Sequence, residues 1–164
     1  MNRHIFISYV HEDGDFVDIL SNKLKEAGFE TWIDIALRAG EDWRAEIDQA
    51  IENSYALLVI NTPQASTSPY VTYEWAFASG KGIKIIPIIL KPTENIHPRL
   101  KVLQHLDFKD RKARPWDQLV DLLKITAREH EYISMSLSQN IPHPIQKAVE
   151  ILNSFNVQHG HSVV

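Results

Sequence analysis

Residues 55–60 read Tyr-Ala-Leu-Leu-Val-Ile, an apolar run with no polar interruption. A strand with one wet face alternates polar and apolar positions, whereas a strand covered on both faces is continuously apolar. This run therefore predicts an interior strand of a parallel sheet with helices above and below it. Residues 83–90 (IKIIPIIL) form a second apolar run, interrupted only by Lys84. Pro87 lies within them and predicts a sheet edge or a bulge there, because proline lacks the amide donor a ladder uses. Working outward, residues 4–9 (HIFISY) and 29–33 (FETWI) read as two earlier strands, and 104–108 (QHLDF) as a weaker fifth. Helical periodicity fills the gaps. Phe16, Ile19, Leu20 and Leu24 form one stripe, after a cap at Asp13 or Asp15 and before a stop at Gly28. Trp43, Ile47, Ala50 and Ile51 form a second. Ser68 followed by Pro69 is a strong helix start, and that helix runs to about Ser79. A last helix near 116–130 carries Trp116, Leu119, Val120, Leu123 and Ala127 on one side. Residues 61–68 read as a polar loop, and 91–103 as an irregular connection with one helical turn around Leu100 to Leu103. Strands interleaved with helices in this way predict an α/β fold with a five-stranded parallel sheet and right-handed crossovers.

The chain has 164 residues, read as one domain over 1–130 and a C-terminal extension over 131–164. The extension is polar from Ser134 to Gln139. It then predicts a helix over 143–155, with Ile145, Val149, Leu152 and Phe155 on one face. It packs on the domain, joins protomers, or leads toward a further domain or sensor protein beyond residue 164. Seventeen basic against 21 acidic residues give a formal charge of -4, which argues against a dedicated nucleic-acid binder, whose affinity rests on phosphate neutralisation. There is no cysteine, which excludes disulfides, thiolate nucleophiles and iron–sulfur clusters and suits a cytoplasmic home. No membrane span or signal peptide is expected, because no long apolar run is present.

In an open parallel sheet, ligands bind beyond the carboxyl ends of the strands, where strand order reverses. Ser8, Tyr9 and His11, the segment from Asp34 to Trp43, and Asn61 to Ser68 all fall at such ends. Glu74 lies in the second turn of the helix that starts at Ser68. Helical spacing places it on a face with Tyr70, Val71, Phe77 and Ala78. A carboxylate on an apolar and aromatic stripe is either a solvated boundary residue or an acid facing a pocket. The familiar phosphate and nucleophile signatures are missing: no G-x-G-x-x-G follows the first strand, and there is no P-loop and no G-x-S-x-G elbow. A phosphoacceptor receiver module would share the layout, and Glu12-Asp13 imitates its acidic pair. Its phosphorylated aspartate is nevertheless replaced by Asn61. The histidines are scattered among loops and prolines, with no ligand spacing for a metal. The basic run from Lys109 to Arg114 reads as a solvated loop, with a contact to nucleotide phosphate as its alternative. Trp32 and Trp116 read as packing residues, while Trp43 borders the proposed pocket.

Several boxes in register resemble Toll/interleukin-1 receptor (TIR) domains, specifically the bacterial NAD-cleaving members, over roughly residues 3–130. They are Phe6-Ile7-Ser8-Tyr9 with Glu12-Asp13, Gly28-Phe29 and Trp32-Ile33-Asp34, and Leu37-Arg38-Ala39-Gly40. Ser54 to Ile60 with Pro63 follows, then Tyr70 to Ala78, and then Gly80-Lys81 with Ile86 to Ile89. The resemblance implies a flavodoxin-like three-layer sandwich. It also implies an NAD glycohydrolase or ADP-ribosyl cyclase in antiviral or innate immune defence, activated by self-assembly into a homo-oligomer or filament. The catalytic members carry a glutamate in the helix after the third strand, and Glu74 occupies that position. By the same resemblance Ser8 and Tyr9 line the nicotinamide-ribose end, and Arg38 and Trp43 close over the substrate. Asp34 and Ser68 supply hydrogen bonds. Tyr70 stands where many active relatives carry a tryptophan on which adenine stacks. NAD enters as substrate, and no cofactor, metal, nucleic acid or membrane is implied. The alternative is a non-catalytic TIR scaffold acting through TIR–TIR association. A nucleoside-processing enzyme of related architecture is a third class, for which no second carboxylate is visibly placed.

Overall fold

The computed structural model describes residues 3–33 and 43–138. It has five strands, β1 (His4–Ser8), β2 (Thr31–Ile33), β3 (Ser54–Asn61), β4 (Lys84–Ile89) and β5 (Leu106–Asp107). The helices are α1 (Gly14–Glu26), α2 (Trp43–Glu52), α3 (Pro63–Thr67), α4 (Pro69–Gly80), α5 (Pro98–Lys101) and α6 (Trp116–Ser138). The sheet is parallel throughout, in the order β2-β1-β3-β4-β5. Every residue of β3 is buried, as its unbroken apolar run demands. Two compact units are resolved along the chain, residues 1–127 and 128–164. The sheet belongs to the first. The predicted helix over 143–155 lies outside the described residues. Among those that are described, no helix is long and apolar enough to cross a membrane.

Two apolar layers cover the sheet. On one side Ile5, Ile7, Leu58 and Ile60 meet Phe16, Leu20 and Leu24 of α1 and Leu119 and Leu123 of α6. On the other, Phe6, Leu57 and Val59 meet Ile47 and Ile51 of α2 and Val71, Trp75 and Ala78 of α4. The period of two along a strand sorts β1 between these layers. Trp32 stacks on Phe6 with ring centroids 4.8 Å apart, and Trp116 packs edge-on against Phe108, so both tryptophans are packing residues. His4 reaches from β1 to the carbonyl of Ala50 in α2, and burial lowers its pKa from the ordinary histidine value.

Local expectations fare unevenly. Ile19, placed in the apolar stripe of α1 by its spacing, points outward instead. Residues 61–68 hold the short helix α3 rather than a loop: Pro63 sits at its first turn, and the hydroxyl of Thr62 accepts a hydrogen bond from the amide of Ala65. The last helix continues through the polar stretch after 130 to Ser138. Pro87 does meet a local sheet edge. β4 pairs with β3 along its whole length, but β5 pairs with it only from Ile88 onward, and no shift in register marks a bulge there.

Helices α1 and α4 end in the same way. After α1 the amide of Phe29 bonds the carbonyl of Leu24, and that of Gly28 bonds Lys25. After α4 Ile83 bonds Ala78 and Gly82 bonds Ser79. This paired pattern requires a left-handed residue, supplied by Gly28 at φ 88° and Gly82 at φ 71°. Gly82→Ala is expected to destabilise the protein by about 1 kcal/mol through left-handed strain alone, since no atom lies within 4 Å of the added methyl. Gly80→Ala, in the last turn of α4 and equally uncrowded, should be neutral or stabilising. Urea unfolding midpoints of the two variants test this, and an equal loss in both would refute it.

Candidate functional site

The order β2-β1-β3 places the reversal of the sheet between β1 and β3. Ser8, the last residue of β1, lies there opposite Val59. Alternation from Phe6 turns the Ser8 side chain to the α2 and α4 side, and it is fully buried. On that side α4 starts at a fixed point. Pro69 occupies its first turn, and the Ser68 hydroxyl caps it by accepting from the amide of Val71 at 3.3 Å. With the start fixed, helical spacing turns Val71, Glu74, Trp75 and Ala78 inward. Glu74 is only 7% exposed, so it is not the solvated boundary residue that the sequence left open. The Ser8 hydroxyl donates to Glu74 Oε2 at 2.5 Å.

A carboxylate withdrawn from water and held by a short hydrogen bond has few open roles. It can accept hydroxyl protons in hydrogen bonds, take a proton, or stabilise positive charge forming beside it. Among the described residues no group of histidines and carboxylates is placed to hold a metal ion.

The other residues expected at the site are distributed differently. Tyr9 follows the last residue of β1 and packs against the α1 and α6 layer. Tyr70 is on α4 one turn before Glu74 and is half exposed. Ser68 serves as the helix cap. Asp34, Arg38 and the side chain of Trp43 lie outside the described residues.

A second polar cluster stands at the same rim, and its residues were not expected to act together. Asp13 does not cap α1 with its side chain. It is buried instead, accepting from the Thr62 hydroxyl at 2.8 Å and pairing with the Lys91 ammonium at 2.6 Å. Thr62 donates to Asp13 and accepts from Ala65, so one hydroxyl serves both the clasp and the α3 cap. These three residues follow the ends of β1, β3 and β4. The signal for them in the sequence is a polar residue just past each of three strands that turn out to be neighbours.

The Asp13 carboxylate is almost fully buried, while the Lys91 side chain is about half exposed. Removing Lys91 leaves a buried charge without its counter-ion, whereas removing the Asp13 charge leaves an ammonium that water can reach. Lys91→Ala should therefore destabilise more, by about 2–3 kcal/mol, than Asp13→Asn, at about 1 kcal/mol. Urea unfolding at neutral pH measures both, and the reverse order would contradict the clasp.

A family model described as TIR domain matches residues 5–123. The chain belongs to the TIR domain family. In sequence this TIR domain is similar to the NAD(+) hydrolase PdTIR of Paracoccus denitrificans, 41% identical over 61 residues, or 35% of this chain and 20% of that protein. The match thus spans about a fifth of that relative's length. In structure it is similar to the TIR domain of the Toll-related receptor TRR-2 from Hydra magnipapillata, with 27% identity and a TM-score of 0.65, covering 73% of this chain and 97% of that one. It shares its fold with the CMP N-glycosidase BcmB of Clostridium botulinum, with a TM-score of 0.58 at 20% identity, over 74% of this chain and 99% of the other.

Proposed function

We propose that this TIR domain cleaves the bond between nicotinamide and ribose in NAD, as an NAD glycohydrolase or ADP-ribosyl cyclase. The observation that carries this reading is the buried Glu74 carboxylate, hydrogen-bonded by Ser8 at the reversal point of the sheet. The partial match to an NAD hydrolase adds to it.

The chemistry suits a single carboxylate. Nicotinamide in NAD carries a positive charge, so the C–N bond breaks with its electron pair going to the ring nitrogen, and a neutral group leaves. No strong general acid is required. The sugar passes through a state with oxocarbenium character, as in glycoside cleavage. Glu74 holds the ribose hydroxyls and stabilises the cationic sugar, a role that depends on accurate placement in a site sheltered from water. Water adding to the anomeric carbon, with loss of a proton, gives linear ADP-ribose. Attack by a ring nitrogen of the adenine gives the cyclic product. Ser8 orients the carboxylate, and Tyr70 offers an aromatic face to the adenine. Asp34, Arg38 and Trp43 are the proposed residues for closing over the substrate, and Ser68 serves it through the position of α4.

The proposed setting is innate or antiviral defence in the cytoplasm, with activity switched on when TIR protomers associate into a homo-oligomer or filament. Residues 131–164 link the domain to that assembly or to a sensor.

Concentrated protein incubated with NAD, followed by chromatography with mass detection, tests the activity. Wild type should release nicotinamide and an ADP-ribose species. Glu74→Gln should lower release by at least a hundredfold with unchanged circular dichroism and melting temperature. An unfolded variant would mark Glu74 as structural, and an inert wild type, even with a crowding agent, would favour the TIR scaffold. Specific activity should also rise with protein concentration, and a flat value across a hundredfold dilution would remove the assembly step.

A further inference from the structure

The basic run after β5 is not spread over a featureless surface. It forms one wall of a cavity of about 370 Å³ at the rim of β4 and β5, within the range of small-molecule sites. Neither Ser8 nor Glu74 lines this cavity. The loop that builds the wall is ordered by its own aspartates. Asp107 accepts from the amide of Lys109 and pairs with its ammonium, and Asp110 accepts from the amide of Lys112. Both acids are thereby engaged within the loop, and neither Arg111 nor Arg114 forms an ion pair among the described residues.

Arg114 is nevertheless held in place. Its Nε donates to the carbonyl of Phe108 at 3.2 Å, and its guanidinium lies 4.8 Å over the ring of Phe16. Partial burial and the nearby charge of Arg111 both lower its pKa from the ordinary arginine value. Lys91, on the same cavity, is already neutralised by Asp13. The wall therefore presents two guanidiniums to one cavity, one of them immobilised. Two cations lining one cavity favour an anionic ligand, and the planar guanidinium fork fits phosphate oxygens. Glu12, just before α1, and Asp15, in its first turn, add their carboxylates to the lining. They repel a ligand that is anionic throughout but accept hydrogen bonds from hydroxyl groups.

We infer that this cavity binds a phosphorylated sugar, with its phosphate on Arg111 and Arg114 and its hydroxyls on Glu12 and Asp15. The site is distinct from Glu74 and does not depend on the hydrolase reading.

Titration calorimetry of the full chain with ribose 5-phosphate tests it, with inorganic phosphate as the comparison. Ribose 5-phosphate should bind, at least several-fold more tightly than phosphate, and Arg111→Ala with Arg114→Ala should weaken it at least tenfold. Should the double variant unfold, Arg111→Ala alone, at an exposed position, should still weaken binding several-fold. Glu12→Gln with Asp15→Asn should erase the preference over phosphate. Glu74→Gln should leave the affinity unchanged, which separates this cavity from the proposed NAD site. No binding at millimolar ligand, binding indifferent to the arginines, or binding lost with Glu74 would each overturn the assignment. Equal affinity for phosphate and ribose 5-phosphate would overturn the sugar.

Discussion

Glu74 is withdrawn from water where the sheet reverses its strand order, and the Ser8 hydroxyl meets it at 2.5 Å. Burying a carboxylate is unfavourable unless hydrogen bonds or charge replace its hydration. Much of the surrounding structure serves that requirement. Ser8 must be the last residue of β1 and must point toward α4. α4 must start at one defined residue, because a helix displaced by a single position turns the carboxylate about 100° away. Thr62, Pro63, Ser68 and Pro69 provide that definition through two successive helix starts. The apolar neighbours Val71, Trp75 and Ala78 then anchor α4 on the sheet.

Asp13, Thr62 and Lys91 solve the same problem a few residues away. Strand ends in a parallel sheet bring several chain segments to one rim, each with polar groups that the next turn does not satisfy. A buried carboxylate shared by a hydroxyl and an ammonium ties three of these segments together. The rim keeps a defined shape without disulfides, which a chain lacking cysteine cannot form. Two polar environments thus stand on one framework. One is built around an acid held by a neutral donor, the other around cations gathered beyond β4 and β5.

The strand framework was largely legible in the residues. The unbroken apolar run at 55–60 and the run at 83–90, interrupted only by Lys84, mark strands because short, β-branched-rich apolar segments between turn signals suit a covered sheet. Gly28 was readable as a stop. Ser68 with Pro69 was readable as a start, since these residues act through local backbone geometry that their neighbours cannot change. Where the reading went astray, a local preference met a distant competitor. Asp13 has the composition of a helix cap, but the Thr62 hydroxyl and the Lys91 ammonium claim its oxygens, from 49 and 78 residues away in the chain. Tyr9 belongs to the same short motif as Ser8, yet it packs against the α1 and α6 layer while the Ser8 hydroxyl meets Glu74 of α4. Residues 61–68 are polar enough to pass for a loop, and only the cap at Thr62 reveals the short helix there.

The sequence by itself determined the element types, most of their order and the glutamate on the helix after the third strand. Those features depend on periodicity, glycine, proline and capping residues, whose effects act over a few positions. Only the tertiary structure decided that Glu74 is buried against Ser8, and that Asp13 is shared among three strand ends. The same holds for the meeting of the Arg111 and Arg114 guanidiniums at one cavity. Burial and charge pairing depend on which residues meet across the sheet, and strand order and the pleat, not proximity along the chain, choose those partners.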